Sequence, residues 1–152
     1  MSGWPVRRAT AADLAALLDL YRHLNPDDPR VPEALAREPL RALLGSPLVH
    51  LLVAEQDGAL RATCLLIVVP NLMRGARSFG LIENVVTHAA HRRSGWGRAV
   101  LRAALSAAWA AGCYKVTLVT GARDPAVLRF YGAAGFHATG HQVFEARPRD
   151  FA

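Results

Sequence analysis

The sequence has few of the residues on which metal and redox sites depend. Its 152 residues include only two cysteines, Cys64 and Cys113, which are far apart and form no C-x-x-C pair. The six histidines are scattered, and no carboxylate or cysteine completes a zinc pattern around His88 and His91. We therefore expect two free, buried thiols and no metal ion.

Long apolar runs and lysine are scarce as well. No apolar run approaches the roughly 18 residues that cross a bilayer, and nothing near Met1 resembles the apolar segment of a secretory signal. These absences predict a cytoplasmic protein with no membrane partner. Of the 18 basic residues only Lys115 is a lysine, so the net charge of +6 reflects a bias of the whole sequence and is weak evidence for nucleic acid. Basic residues interleaved with exposed aromatics are not evident either, and we expect no nucleic-acid partner.

A single domain of α/β class is expected for residues 1–152, because this length supports one hydrophobic core and is short for two. Alternating apolar residues and β-branched runs predict strands at 6–8, 48–55, 62–69, 79–87, 116–120, 136–138 and 142–146. Periodicity and capping signals predict helices from 10–13 to about 25, at 33–44, at 95–111 and at 124–134. The turn signal Asp57-Gly58 predicts a hairpin. A helical crossover makes strands 79–87 and 116–120 parallel, so the predicted sheet is mixed and flanked by helices.

A basic loop with two glycines lies between strand 79–87 and the helix that follows it. It reads Arg92-Arg93-Ser94-Gly95-Trp96-Gly97-Arg98. Amides of a first helical turn have no internal partner, the helix dipole favours anions, and glycines allow close approach, so the loop predicts a phosphate site. The alternative is that the glycines merely relieve a tight turn. A Walker A loop is excluded because Gly-Lys-Ser/Thr is absent, and a dinucleotide fingerprint because Val100 stands where its third small residue is needed.

This loop and the order of elements around it resemble the GNAT family of N-acetyltransferases over essentially the whole chain. The family loop follows Gln/Arg-x-x-Gly-x-Gly/Ala, and a later helix follows Asn-x-x-x-x-x-Leu/Phe-Tyr and ends in Gly-Phe. The matching residues here are Arg92, Gly95 and Gly97 in the loop, and 124–131 with 135–136 in the helix. Strand residues 82–86 and the run 112–115 are similar to those of glucosamine-6-phosphate N-acetyltransferases within the family.

The resemblance implies the GNAT fold and an enzyme that moves acetyl from acetyl-CoA, as co-substrate, to a primary amine of a small molecule by direct attack. Two alternatives stay open: N-acetylation of a protein or peptide amine, and a non-catalytic acyl-CoA-binding module. Homodimers through the C-terminal strands are common in the family, so a homodimer is among the expected states.

The resemblance also assigns the cofactor site. The backbone of Val85, Val86 and Thr87 would pair with the pantetheine arm, and one amide near Val85 or Val86 would stabilise the oxyanion. The loop would cradle the pyrophosphate through Arg92, Arg93, Ser94, Gly95, Trp96, Gly97 and Arg98. Asp124 and Phe130 complete the assigned set, although Asp124 is also suited to capping its helix.

Two residues are assigned to catalysis. Tyr131 matches the family tyrosine that protonates the leaving thiolate, and the alternative is simple aromatic packing. Glu83, a carboxylate in an apolar strand, is the candidate general base. Burial would raise its pKa unless it were paired, and the alternative is a structural pair with an arginine. Several family members carry a carboxylate where this chain has Val119, so that route to a base is closed.

Overall fold

The computed structural model describes residues 3–151, and residues 1–2 and 152, the ends of the predicted domain, lie outside the described part. Five strands form one sheet in the order β1-β2-β3-β4-β5, which is also their order along the chain. The strands are β1 Val6–Arg8, β2 Val49–Gln56, β3 Ala59–Val69, β4 Phe79–Thr87 and β5 Val116–Leu118. The first four are antiparallel and β5 runs parallel to β4, so the predicted mixed sheet is confirmed.

Four α-helices flank the sheet: α1 Leu14–Tyr21, α2 Glu33–Gly45, α3 Trp96–Ala110 and α4 Pro125–Ala134. The predicted helices are confirmed, although α1 ends four residues earlier than the sequence suggested. Its start is fixed by Asp13, whose carboxylate accepts the Thr10 N–H at 2.7 Å. The same carboxylate accepts two bonds of 2.8 Å from the Arg7 guanidinium, which ties α1 to β1.

The alternation of side chains along the strands divides the core between the two faces of the sheet. On one face, Leu17 and Leu20 of α1 pack with Leu51 and Val53 of β2. The opposite face packs against α3 and the end of α4. Its largest fully buried side chains are Cys64, Leu66, Ile82, Val100 and Leu101. Helices on both faces of one sheet give the α/β class that the sequence predicted.

A β-bulge in β4 shapes the region where α3 begins. Leu65 pairs with Glu83 and Thr63 with Val86, so Asn84 and the residue after it oppose a single residue of β3. Asn84 lies in the left-handed region with φ of 52°, where asparagine is several-fold enriched. The bulge reverses the alternation, so that Ile82 faces α3 whereas Val86 faces α1. The pairing of β5 with β4 covers Gly80 to Ile82 of β4, and the two strands separate after Ile82.

The predicted strands at 136–138 and 142–146 are wrong for the described chain. After α4, residues 137–147 follow an irregular path with exposed side chains. Phe144 is 90% exposed and Val143 is 66% exposed. A strand needs a backbone partner, and the pairing of β5 with β4 ends at Leu118. The two segments therefore have a β-forming sequence pattern but no strand to pair with among residues 3–151.

Both thiols are free and buried, as predicted. Cys64 lies in β3, where burial raises the pKa of its thiol to about 12. Cys113 lies between α3 and β5 and has a raised pKa for the same reason. Among the described helices, none combines the length and the apolar composition needed to cross a bilayer.

Candidate active site

A cleft of about 540 Å³ opens where β4 and β5 separate. Its walls are the end of β4, the loop before α3 and one side of α4. The lining residues are His23, Leu24, Val85, Val86, Thr87, Arg92, Arg93, Gly95, Gly97, Arg98, Ala126, Val127, Phe130, Tyr131 and Ala133. A second hollow, of about 700 Å³, lies beside Trp4 and Glu55 and contains none of the catalytic candidates. The first cleft is therefore the candidate site.

The loop before α3 presents unpaired amides to this cleft. The first bond at the start of α3 runs from the Ala99 N–H to the Gly95 carbonyl at 3.0 Å. The amides of Trp96, Gly97 and Arg98 precede it and have no carbonyl one helical turn before them. Arg93 and Arg98 line the same cleft. Helix-terminal amides and arginine side chains together make a site suited to a phosphate group.

The two glycines of the loop are required for different structural reasons. Gly95 lies in the left-handed region with φ of 91°, and a Cβ there would be 2.7 Å from the Trp4 ring. It therefore serves the turn itself, as the alternative interpretation held. A Cβ on Gly97 would be 2.7 Å from Thr87 Oγ1 and 3.0 Å from Phe130 Cζ. Gly97 thus allows β4, α3 and α4 to meet at the wall of the cleft.

The side chains of two residues of the predicted loop site lie away from the cleft. The side chain of Trp96 is only 7% exposed, packs in the core and makes an edge contact with Trp4, with ring centroids 6.3 Å apart. Only its main chain remains available to a ligand. Ser94 is exposed, does not line the cleft, and its hydroxyl donates to the Arg92 carbonyl at 3.4 Å.

Tyr131 lines the cleft on the α4 side and is half-buried. Its ring contacts Phe130 and Phe136, with centroids 5.0 and 6.2 Å away, so it also packs as the alternative interpretation held. Burial raises the pKa of the Tyr131 hydroxyl, and the neighbouring Thr120 opposes this by a smaller amount. The phenol therefore stays protonated at neutral pH and can act as an acid.

Glu83 is exposed, and the expectation that it is a buried carboxylate is wrong. It lies on the face of β4 that α1 and α2 leave partly open, where Leu81 is also 37% exposed. Among the described residues it forms no ion pair, so the alternative of a structural pair with arginine is wrong as well. Glu83 therefore lacks the burial on which the sequence argument for a general base relied.

Asp124 caps α4. Its carboxylate accepts the Ala126 N–H at 2.8 Å, and Pro125 occupies the first helical position. The capping role foreseen for Asp124 is confirmed. Its side chain does not line the cleft.

His23 lines the cleft, although it is not among the site residues predicted from the sequence. His23 lies in the turn after α1, and its carbonyl accepts a bond of 2.8 Å from Arg92 Nη2. This contact joins two segments that are far apart in the chain, and no local pattern predicts it.

Comparison with known proteins identifies the family. The sequence profile described as the Acetyltransferase (GNAT) family matches residues 15–136. The chain belongs to the GNAT acetyltransferases. A GNAT relative from Oryza sativa subsp. japonica, named glucosamine 6-phosphate N-acetyltransferase 1, is 33% identical over 136 residues, which cover 86% of this chain and 79% of the relative.

Two solved structures share the GNAT fold. A candidate acetyltransferase from Agrobacterium tumefaciens str. C58 is 45% identical, with a TM-score of 0.85 over 93% of this chain and 99% of that chain. An acetyltransferase of Clostridium acetobutylicum, assigned by prediction and described with acetyl-CoA, has a TM-score of 0.73 over 93% and 95% of the two chains. At 19% identity, the second similarity concerns the fold alone.

This GNAT protein is an N-acetyltransferase, and acetyl-CoA is the acetyl donor of its family. Of the residues assigned from the sequence, most line the cleft. They are Val85, Val86, Thr87, Arg92, Arg93, Gly95, Gly97, Arg98, Phe130 and Tyr131. Glu83, Ser94, Trp96 and Asp124 do not line it.

Proposed function

We propose that this chain, as a single domain, transfers the acetyl group of acetyl-CoA to a primary amine of a small molecule by direct attack. The supporting observation is the cleft itself. It brings together the free edge of β4, the first-turn amides of α3, three arginines and the Tyr131 hydroxyl. Its volume of about 540 Å³ falls in the usual range for small-molecule sites.

The cofactor would lie along the separated strands. Beyond Ile82 the edge of β4 that faces β5 has no strand partner among residues 3–151, so its peptide groups are available to the amides of a pantetheine arm. The pyrophosphate would lie at the N-terminus of α3, where Arg93 and Arg98 add charge-assisted bonds. The bulge at Asn84 supports this arrangement because it interrupts the regular β3–β4 register just after the pairing of β4 with β5 ends at Ile82, where the thioester would enter.

The chemistry needs three events around one carbonyl. The neutral amine forms a C–N bond to the acetyl carbon, and a backbone amide near Val85 or Val86 stabilises the developing oxyanion. The C–S bond then breaks, and Tyr131 donates its proton to the thiolate. The amine's excess proton passes to Glu83 or to water. The raised pKa of Tyr131 keeps the phenol protonated at neutral pH, so its proton is present when the thiolate leaves.

The acceptor is proposed to be a small amine because the relative from Oryza sativa is named for glucosamine 6-phosphate. That amino sugar phosphate is the first acceptor to test. Asn84 stands where that subset has an aspartate, and Val119 stands where it has an acid, so the acceptors to test extend beyond this amino sugar phosphate. The open face beside Glu83 and Leu81 offers room for it.

The test combines turnover with binding. Glucosamine 6-phosphate, a polyamine, an aminoglycoside and a lysine peptide are each mixed with acetyl-CoA, and thiol release and acetylated product are measured. We expect turnover with a small amine, whereas turnover with the peptide alone would support the protein-amine alternative. Cofactor binding without turnover on any amine would support the non-catalytic module.

Calorimetry with matched arginine variants locates the cofactor. Arg98→Ala removes a residue of the cleft, whereas Arg102→Ala removes an exposed arginine one turn later on the same helix. We expect Arg98→Ala to weaken acetyl-CoA binding about tenfold, as for the loss of one charge-assisted bond, and Arg102→Ala to bind as wild type. Equal effects of the two variants would place the phosphates elsewhere.

We also propose that the chain forms a homodimer through residues 137–147. The support is an irregular segment without a strand partner that exposes Val143 and Phe144 to solvent. Light scattering should give a dimer that Phe144→Asp converts to a monomer. Leu72→Asp is the control, since Leu72 is 97% exposed on the loop between β3 and β4. A monomeric wild type contradicts the proposal.

The cytoplasmic location and the absence of a nucleic-acid partner stay predictions.

A further inference from the structure

Three histidines lie side by side next to the proposed cofactor loop. His23 comes from the turn after α1. His88 precedes the short helical turn Ala89–His91 that leads into the loop, and His91 is the last residue of that turn. The ring centroids of His23 and His88 are 4.1 Å apart, and those of His88 and His91 are 5.2 Å apart. We refer to these three residues as the histidine clasp. Nothing in the proposed chemistry uses them.

Each ring of the histidine clasp uses one nitrogen as an acceptor. His23 Nδ1 accepts the Ala89 N–H at 3.3 Å, and His88 Nδ1 accepts the Ala90 N–H at 3.1 Å. His91 Nε2 faces the guanidinium of Arg61, which can only donate. An imidazolium has no acceptor nitrogen. All three contacts therefore require neutral rings, and protonation removes each of them.

The charges around His23 and His91 also favour neutral rings at these two residues. Burial lowers the pKa of His23, and so do His88, Arg92 of the loop and Arg22 beyond α1. Burial likewise lowers the pKa of His91, with further lowering by Arg61 of β3 and by His88. A lowered pKa means that the folded state binds the proton more weakly than the unfolded chain does. The contacts of His23 and His91 are therefore complete above about pH 6.5 and are lost as the pH falls through the lowered pKa values of these two rings.

The histidine clasp is connected directly to the cofactor cleft. His23 lines the cleft, and its carbonyl accepts the bond from Arg92, which lines the cleft too. Ala89 and Ala90, held by two of the rings, lie on the segment that joins β4 to the loop. We propose that the histidine clasp is a proton-sensitive positioning device, which holds the loop for acetyl-CoA and releases it when the solution becomes mildly acidic. This inference rests on the proposed function of the cleft.

The first test needs no ligand. Backbone amide resonances of Ala89 and Ala90 are followed by NMR from pH 8 to pH 5. We expect both amides to shift together, and we expect Ala89 to stop titrating in His23→Asn, because the side-chain oxygen of asparagine can accept near the place of Nδ1 and does not titrate. Amides that do not respond to pH in the wild type overturn the proposal.

The second test measures acetyl-CoA affinity by calorimetry at pH 7.5 and pH 5.5. Loss of one or two net hydrogen bonds corresponds to a fall of about tenfold for the wild type. The 3′-phosphate of the cofactor titrates in the same range, so the decisive quantity is the difference between variants. We expect a smaller fall for His23→Asn, and at pH 7.5 tighter binding by His23→Asn than by His23→Leu, which has no acceptor.

His50→Asn is the matched control. The pKa of His50 is also lowered by burial and by Arg8, yet His50 pairs with Leu66 at the other end of β3 from the loop. It should keep the pH dependence of the wild type. Equal falls for the wild type and His23→Asn, or tighter binding in acid, overturn the link to the cofactor. If the wild type does not bind acetyl-CoA even at pH 7.5, the proposed function fails, and the amide titration still decides whether the histidine clasp opens.

Discussion

Gly97→Ala adds a single methyl group at the point where β4, α3 and α4 meet. The new Cβ would lie 2.7 Å from Thr87 Oγ1 and 3.0 Å from Phe130 Cζ, both shorter than van der Waals contact. Overpacking of this kind costs about 1–3 kcal/mol, and alanine returns at most about 1 kcal/mol of helix propensity. We therefore expect a net loss of about 1–2 kcal/mol, which lowers the melting temperature by roughly 2–8 °C.

The matched control is Gly132→Ala, in the last turns of α4. A Cβ there meets no atom within 4 Å, so only the propensity term remains, and we expect a gain of about 0.5–1 kcal/mol. Replacement of glycine by alanine should thus lower the free energy of unfolding at Gly97 and raise it at Gly132. The Gly97→Ala Thr87→Ala double variant should recover part of the loss because it removes Oγ1. A Gly97→Ala protein that melts at or above the wild-type temperature would refute the reasoning.

Three further predictions concern single side chains. Tyr131→Phe should lower turnover roughly tenfold to a thousandfold with little change in acetyl-CoA affinity, as for an acid that acts only in the transition state. Tyr114→Phe, outside the cleft, is the control. Turnover of Tyr131→Phe equal to that of the wild type would leave Tyr131 with a packing role only. Glu83→Gln should lower turnover at neutral pH and recover it as the pH approaches the acceptor's own pKa, whereas an unchanged pH–rate profile would assign the proton to water. Asp13→Asn should reduce the free energy of unfolding by about 1–3 kcal/mol at pH 7, measured by urea denaturation. Because hydrogen bonds from Arg7 lower the pKa of Asp13 below 3.8, the wild type should lose this stability as the pH falls below that value, and the variant should not.

Local patterns were sufficient for most of the fold. The strand Phe79–Thr87 was predicted with its observed bounds because its β-branched and apolar residues continue without a turn signal. The Asp57-Gly58 hairpin followed from the demand of that turn for positive φ, which is 52° and 74° in the structure. In these cases the residues that decide the structure are neighbours in the chain.

The errors have one physical origin. The features that were predicted wrongly are determined by contacts between distant segments of the chain. Apolar neighbours of Glu83 suggested burial, but they do not reveal that α1 and α2 leave this part of the sheet uncovered. The stretch at 142–146 has a strand pattern, yet a pattern does not supply the partner that a strand requires. The positive φ of Asn84 and the contact of His23 with the loop are likewise set by tertiary structure.

The order of the strands has a consequence for how the protein folds. Since β1 to β4 lie in the sheet as they follow one another in the chain, β2, β3 and β4 can zip together through short connections, which favours rapid formation. The parallel partner β5 can join only after α3 has crossed the sheet, and it contributes a ladder of three residues. Local opening should therefore begin at the β4–β5 pairing, where amide protons of Val116–Leu118 would exchange sooner than those of β3. The cleft lies where β4 and β5 separate. A bound cofactor that bridges β4 and α4 would therefore slow this exchange and stabilise β5, the last strand to join the sheet.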